Sequence, residues 1–391
     1  MKQAVILAAG EGQRLRPFTA TKPKVMLSIA DKPVVQYVVE ALAQTGIRNI
    51  LMVVGYRREQ VFNYMGSGER FGVDITYITQ EKQLGTAHAL AQAKAATEGE
   101  FLVLPGDNLI EANTIARFAA VKPEAILAKR VENPARYGVV TVDNGMVKNI
   151  VEKPEEARSN VVNTGIYAFT GEIFNFLEAR LDIPDALNDM LAQDYSISAQ
   201  ETDGTWLDVV YPWDILSLNG AVLRQIRTNL GGTIEGGVSI KGLVSVGKDT
   251  VIRSGSYIVG PVVIGNNCDI GPDVCILPAT SIGDNVVISS FCNISSSVIG
   301  TDVSIGPGCI IEDSVIDNGC IIRGHFTACS GEADVRVDSE NRSVNVGAML
   351  GEDCSLGSNV VAQPGVIVGN HCQVQPLKLL SGRLPDKSLV F

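Results

Sequence analysis

From Ile234 onward an aliphatic residue recurs at every sixth position: Ile240, Val246, Ile252, Ile258, Ile264, Ile270, Ile276, Ile282, Ile288 and Ile294. Eleven positions in phase exclude an amphipathic helix, whose apolar face returns near every 3.6 residues. The series drops one residue and resumes at Ile299, Ile305 and Ile311, and a second series runs Leu350, Leu356, Ala362, Val368 and Val374. Glycine often follows the anchor, as in IGNNCD, IGPDVC, IGDNVV and IGTDVS. Each six-residue unit makes one flat side, three sides close a coil, and stacked coils bury a continuous aliphatic column. The period predicts a parallel β-helix over residues 231–391.

The cysteines keep the same beat. None of the eight precedes Cys268, and no CxxC occurs, which argues against a zinc ribbon or a thioredoxin-like motif. Cys268, Cys292, Cys309, Cys320, Cys354 and Cys372 each follow an aliphatic (Ile264, Ile288, Ile305, Ile316, Leu350, Val368) by four residues. That slot takes a small residue inside the coil, and a reduced cysteine behaves as one. Cys354 and Cys372 are 18 residues apart, so stacking brings them within range of a disulfide. Buried free thiols in a reducing cytosol are the favoured reading.

Residues 1–230 follow another rhythm. Strand-like runs at Ala4–Ala9, Asn49–Val54, Val73–Ile78, Phe101–Leu104 and Ala125–Lys129 alternate with helix-like segments at Pro33–Gln44, Thr86–Ala96 and Asn113–Ala120. This alternation predicts an α/β domain with a largely parallel sheet, whose ligands bind where strands end and helices begin. AVILAAG at 4–10 is too short to span a membrane and reads as a buried first strand of a cytoplasmic protein. With 32 cations against 43 acids and a net charge of −11, the chain lacks the basic excess that generic binding to nucleic acid or anionic membranes needs.

A local exception follows the first apolar run. Between Arg14 and Lys24, in LAAGEGQRLRPFTATKPK, lie four cations and no acid. Gly10 and Gly12 let backbone N–H groups approach an anion, and Arg14 and Lys24 can neutralise it. The third glycine of a dinucleotide fingerprint is replaced by Leu15, and no GKS or GKT follows.

The longer stretch LAAGEGQRLRPFTATKPKVML resembles the opening of sugar-1-phosphate nucleotidylyltransferases. QEKQLGTAHA at 80–89, LPGDN at 104–108, YGVV at 137–140, VEKP at 151–154, VNTGIY at 162–167 and WLDVVYPWD at 206–214 agree with that family in order. Joined to the hexapeptide half, the chain resembles archaeal bifunctional sugar-1-phosphate nucleotidylyltransferase/acetyltransferases, relatives of the bacterial enzyme that makes UDP-N-acetylglucosamine. Some thymidylyltransferases share the first half. The implied fold is an α/β nucleotidyltransferase domain with a Rossmann-like mixed sheet (1–230), then a left-handed β-helix (231–391).

The implied reaction joins UTP or dTTP to a sugar 1-phosphate, glucose-1-phosphate or N-acetylglucosamine-1-phosphate, and releases pyrophosphate. In the resemblance Asp107 and Asp208 hold Mg²⁺, a hard cation suited to carboxylates and phosphate oxygens. Arg14 and Lys24 stabilise the triphosphate and the departing pyrophosphate. Leu7, Ala9, Gly10 and Gly12 line the nucleotide, and Gln80, Gln83, Gly85 and Thr86 stand where relatives read the pyrimidine edge. Gly138, Glu152, Lys153 and Asn163 correspond to the sugar-phosphate site. Val210 replaces the family's usual glycine after Asp208. His88 has no neighbouring nucleophile and reads as a helix-packing residue.

For the second half two readings stand. GHFT at 324–327 resembles the family's GHLT, whose histidine deprotonates the sugar amine before attack on acetyl-CoA; His325 is then the general base. It opens the segment 323–345, the long interruption of the repeat, which carries Arg336, Asn341, Arg342 and Asn345. Against this, Ala328 replaces the family's aromatic, and the coil containing IGAGT is missing. In the second reading the chain is a monofunctional thymidylyl- or uridylyltransferase. Its β-helix then serves only regulation or assembly, as a homotrimer or higher oligomer.

Overall fold

The computed structural model describes every residue except Asp31, Ala179 and Ser339. The chain divides into two compact units, one of residues 1–11, 22–26 and 33–208, the other of 12–21, 27–32 and 209–391.

The first unit is built on a nine-stranded mixed sheet. Four strands are parallel: Asp74–Thr79, Asn49–Val54, Gln3–Ala8 and Phe101–Pro105, in that spatial order. Helices Val34–Gln44, Arg58–Met65 and Thr86–Gln92 make the crossovers between them, as parallel pairing requires. Alternation along Gln3–Ala8 sends Ala4 and Ile6 to one core and Val5 to the other, so both faces are covered. The predicted elements stand within a few residues, except that the helix expected over Thr86–Ala96 ends at Gln92.

Beyond Phe101–Pro105 the sheet departs from the largely parallel expectation. Val161–Phe169 joins antiparallel, and Gly138–Asp143 and Met146–Glu152 form a hairpin across Asn144 and Gly145. Both turn residues have positive φ, 48° and 76°, which suits a tight hairpin turn and needs no crossover helix.

In the second unit three parallel ladders of nine, nine and eight strands run the length of a β-helix. One ladder aligns Ile252, Ile270, Ile288, Ile305, Ile322, Leu356 and Val374, all inward and buried. The dropped residue shortens the coil from 18 to 17 positions, visible where Ile282 pairs with Ile299, and the ladder absorbs it without losing register. Asx residues turn corners in the left-handed region, among them Asn267, Asn285 and Asp302. Their side chains bond coil to coil: Asn267 Nδ2 donates to Asn285 Oδ1 at 2.8 Å and Asn285 Nδ2 to Asp302 Oδ1 at 2.9 Å.

All eight cysteines are free thiols, and the six in phase are buried. Cys354 Sγ donates to the Gly369 carbonyl at 3.0 Å and Cys372 Sγ to that of Pro385 at 3.2 Å. No disulfide joins them. Burial holds the Cys372 thiol above its ordinary range, so it stays protonated.

The interruption expected at 323–345 begins later. Ile322 still pairs with Ile305 and Ala328 with Ile311; only then does an antiparallel hairpin, Gly331–Val337 and Glu340–Val346, leave the coil. Ala328 continues the aliphatic column with a residue too small to register as an anchor. Among the described residues no helix is long and apolar enough to cross a membrane.

Ile294 is fully buried while Asn293 beside it is exposed. Ile294→Ala is expected to lower unfolding stability by about 2–5 kcal/mol and Asn293→Ala by less than about 0.5 kcal/mol. Denaturant titration of the purified variants measures both.

Candidate active site

LPGD ends the strand Phe101–Pro105, and Gly106 is where the chain leaves it. Gly106 N–H donates to the Leu7 carbonyl at 2.9 Å, and a Cβ there would lie 3.1 Å from Val25 and 3.2 Å from Ile6. Close packing thus leaves little room for a larger residue, and Asp107 follows at a half-buried edge. Trp206–Asp208 pairs antiparallel with Asn108–Ile110, placing Asp208 opposite Asn108. The two acids named from sequence are thus brought to one strand end. Lys24 forms an ion pair with Asp107. Tyr137 donates its hydroxyl to Asp208 Oδ1 at 3.2 Å, and its ring packs against Trp206 with centroids 5.2 Å apart.

Asn108 is buried and donates to the Thr164 carbonyl at 3.3 Å, tying this edge to VNTG. The strand Val161–Phe169 loses register between Asn163 and Tyr167. There Gly165 adopts φ 78°, and its N–H donates to Asn163 Oδ1 at 3.1 Å. Asn163 in turn donates to Tyr167 Oη at 2.7 Å. Gly138 pairs with Glu152 across the hairpin, and a Cβ on it would sit 2.8 Å from Glu152 Oε2 and 3.6 Å from the Asn163 Cβ. Gly138, Glu152 and Asn163 are therefore neighbours. Lys153, with φ 42°, donates its N–H to the Tyr137 carbonyl and holds Nζ 3.9 Å from Glu152 Oε1. Although half of its side chain is exposed, desolvation raises the Glu152 carboxyl above the ordinary glutamate range; Lys153 opposes this, and Asp182 and Asp185 add to it.

At the glycine-rich loop Gly10 is exposed, and a Cβ there would meet nothing within 4 Å. Leu7 is half-buried and Ala9 buried. The Gln83 carboxamide lies so close over Gly55 that a Cβ at Gly55 would come within 2.4 Å of Gln83 Nε2 and 3.0 Å of the Ala9 carbonyl. Gln83, itself exposed, donates to the Gln80 carbonyl at 3.1 Å. Thr86 spends its hydroxyl on structure, donating to Asp182 Oδ1 at 3.1 Å and accepting from Ile183 N–H at 3.0 Å.

Three named residues, Gly12, Arg14 and His325, lie in the second unit. Gly12, with φ 72°, is held by the Thr19 hydroxyl, which donates to its carbonyl at 2.7 Å. Arg14 faces carboxylates of the hairpin: Nε is 3.6 Å from Asp338 Oδ2 and Nη2 is 3.8 Å from Glu340 Oε1. Glu340 also accepts from the Tyr211 hydroxyl and from Arg342 Nη2, both at 2.5 Å, and these bonds hold its carboxyl down at about 2. His325 turns an exposed coil corner at φ 60°, in line with Asp273, Phe291 and Asn359 at equivalent corners. Its ring covers Gly308, where a Cβ would lie 2.6 Å from His325 Nδ1. Val210 and Tyr211 both donate their N–H to Asp214 Oδ2, at 2.9 and 2.7 Å, so the loop after Asp208 is held without the usual glycine.

Residues 3–225 match the family model described as nucleotidyl transferase. The chain belongs to the nucleotidyl transferase family. Residues 258–333 match a GMPPB C-terminal domain, and 348–375 match the hexapeptide repeat of succinyl-transferase. The bifunctional protein GlmU of Methanococcus maripaludis is 32% identical over 99% of this chain and 97% of its own. A bifunctional sugar-1-phosphate nucleotidylyltransferase/acetyltransferase of Sulfurisphaera tokodaii is 33% identical over 96% of each. Among solved structures, a Bacillus anthracis protein named as a glucose-1-phosphate thymidylyltransferase superposes with a TM-score of 0.53 at 29% identity, covering 58% of this chain and 97% of its own.

Within this nucleotidyl transferase Tyr137 is a site residue that the sequence does not single out, though it adjoins Gly138 in YGVV. Nor does the sequence single out Glu340, whose contact with Arg14 joins residues more than three hundred positions apart. No local signal marks such a pair.

The raised Glu152 carboxyl is open to titration by carboxyl-detected NMR. Its apparent pKa is expected above that of an ordinary glutamate, higher still in Lys153→Met and lower in Asp185→Asn. An ordinary value, insensitive to both substitutions, would contradict the burial described.

Proposed function

We propose that the protein transfers a uridylyl or thymidylyl group from UTP or dTTP to a sugar 1-phosphate, with glucose-1-phosphate or N-acetylglucosamine-1-phosphate as the acceptor. The observation that carries this reading is the pairing of WLD with the strand after LPGD, which seats Asp208 opposite Asn108 beside the Lys24–Asp107 ion pair.

The donor set fits Mg²⁺. Two carboxylates, Asp107 and Asp208, stand on one strand edge, hard oxygen donors of the kind that would hold the ion together with substrate phosphates. Asp107 already holds a cation, the Lys24 ammonium. Asp107 and Asp208 would hold the ion, which when bound supplies charge neutralisation at the α-phosphate.

The chain's own groups do the rest. The backbone at Gly10, which is exposed, and at Gly12 receives phosphate oxygens, and Lys24 balances negative charge as pyrophosphate departs. Arg14 serves the same triphosphate from the glycine-rich loop. Gln80, Gln83, Gly85 and Thr86 surround the pyrimidine, with Leu7 and Ala9 against the nucleoside. Lys153 pairs with the sugar phosphate, and Glu152, Asn163 and the Gly138 backbone orient the sugar for in-line attack. Nucleotidylyl transfer is assigned to residues 1–230.

For residues 231–391 the full-length likeness to bifunctional relatives supports acetyl-CoA-dependent N-acetylation of an amino-sugar 1-phosphate, with His325 as base. A specific observation favours a role in assembly as well. Val361 and Leu379, 42% and 63% exposed, are neighbours in the outward column of one ladder, which continues through Thr327 to Ile310, 37% exposed; this partly apolar face is suited to a homotrimer. The eight unpaired thiols support a cytoplasmic location.

Pyrophosphate release, measured with Mg²⁺ over a matrix of triphosphates and sugar 1-phosphates, tests the first activity. Asp107→Asn is expected to lower turnover by roughly a thousandfold with the fold intact; unchanged turnover would remove Asp107 from the site. For the second, thiol release from acetyl-CoA with glucosamine-1-phosphate is expected to vanish in His325→Ala. Release that persists in the variant removes His325 from the chemistry. No release from the parent protein leaves assembly as the role of the β-helix.

A further inference from the structure

Gln80 follows directly on the strand Asp74–Thr79, with its backbone N–H on the Val54 carbonyl at 2.8 Å and only 2% of its surface exposed. Its Nε2 lies 3.2 Å from the Gly85 carbonyl oxygen and 2.8 Å from Nδ1 of His88. A carbonyl oxygen only accepts, so the nitrogen end of the carboxamide must face Gly85. The Gly85 backbone is itself fixed: φ is 119°, and a Cβ would come within 2.3 Å of the Leu181 carbonyl oxygen. One amide hydrogen goes to Gly85, and the other points at Nδ1. Nδ1 must then accept, which makes His88 a neutral imidazole with its proton on Nε2; Gln92 Nε2, 3.5 Å from that nitrogen, donates to the His88 carbonyl at 3.2 Å instead of to the ring. Both hydrogens of the carboxamide are consumed. What Gln80 has left is the acceptor Oε1.

We propose that His88 is a positioning residue that makes Gln80 an acceptor-only reader of the base and so selects a pyrimidine bearing N3–H over cytosine. This rests on the base-reading role proposed for Gln80. Uracil and thymine present N3–H, which Oε1 can accept; cytosine presents a bare N3 lone pair, which would face Oε1 as a second acceptor. A buried acceptor facing an acceptor leaves both unpaired in a site that excludes water. Without the His88 anchor the bond to Gly85 alone holds the carboxamide, which can then pivot about that bond and offer its second hydrogen to cytosine N3. The imidazole thus acts at one remove, through the orientation of its neighbour.

Steady-state kinetics of His88→Leu, His88→Asn, Gln80→Ala and the double variant Gln80→Ala/His88→Leu test this. CTP is compared with whichever of UTP and dTTP the enzyme prefers, at saturating Mg²⁺ and sugar 1-phosphate. His88→Leu is expected to raise KM for the preferred triphosphate about tenfold, leave kcat within about threefold, and shrink its preference over CTP about tenfold. His88→Asn, whose Oδ1 falls near the place of Nδ1, is expected to restore most of the preference. In the Gln80→Ala background the His88 substitution should add nothing.

The proposal is overturned if His88→Leu keeps the preference, if the same loss recurs without Gln80, or if the folded His88→Asn variant is no better than His88→Leu. If Gln80→Ala itself leaves KM and base preference intact, the base-reading role fails instead, and the two failures are told apart. ¹H–¹⁵N NMR of the native imidazole decides independently of any variant. A proton on Nε2 is expected; one on Nδ1 would refute the assignment.

Discussion

Three residues of main-chain pairing carry the candidate site. Trp206–Asp208 lies against Asn108–Ile110, and without those backbone bonds Asp208 has no reason to approach Asp107. The side chains around the pair reinforce the register. Trp206 is buried and packs on Tyr137, Tyr137 donates to Asp208, and Asn108 ties the same edge to the bulge at Asn163–Tyr167. Asp208 is held at this edge by a hydrogen bond that carries no net charge, and Lys24 offsets the charge of Asp107.

The sheet supplies this edge through two different modes of construction. Its parallel half ends loops at one rim, where Gly10 and LPGD emerge. Its antiparallel half brings in VEKP and VNTG by a hairpin and by a bulged strand. Glycine stands where side chains approach the backbone closely, at Gly106 and Gly138, rather than wherever flexibility would be convenient. The β-helix follows a simpler economy: one inward aliphatic per side, one left-handed corner residue per turn, and thiols filling the remaining space.

Much of this was legible in the residues. A period of six leaves little choice of fold, because only a flat-sided coil returns the same face at that interval. The cysteine slots followed from the same count. The start of the interruption was misjudged because Ala328 fills an anchor position with a methyl group, and the largely parallel sheet was over-extended because strand direction is set by connections, not by strand composition. His88 was read as a packing residue, since its partner Gln80 stands eight positions away on another element.

Sequence alone determined the two architectures, the buried thiols and the short motifs, since these depend on local periodicity and on residue chemistry. Tertiary structure decided which motifs meet: Asp208 with the Asp107 edge, Glu152 with Gly138, Gln80 with His88, and Arg14 with the acids of the hairpin. Those contacts join segments distant along the chain, and only strand register and packing set the distances between them.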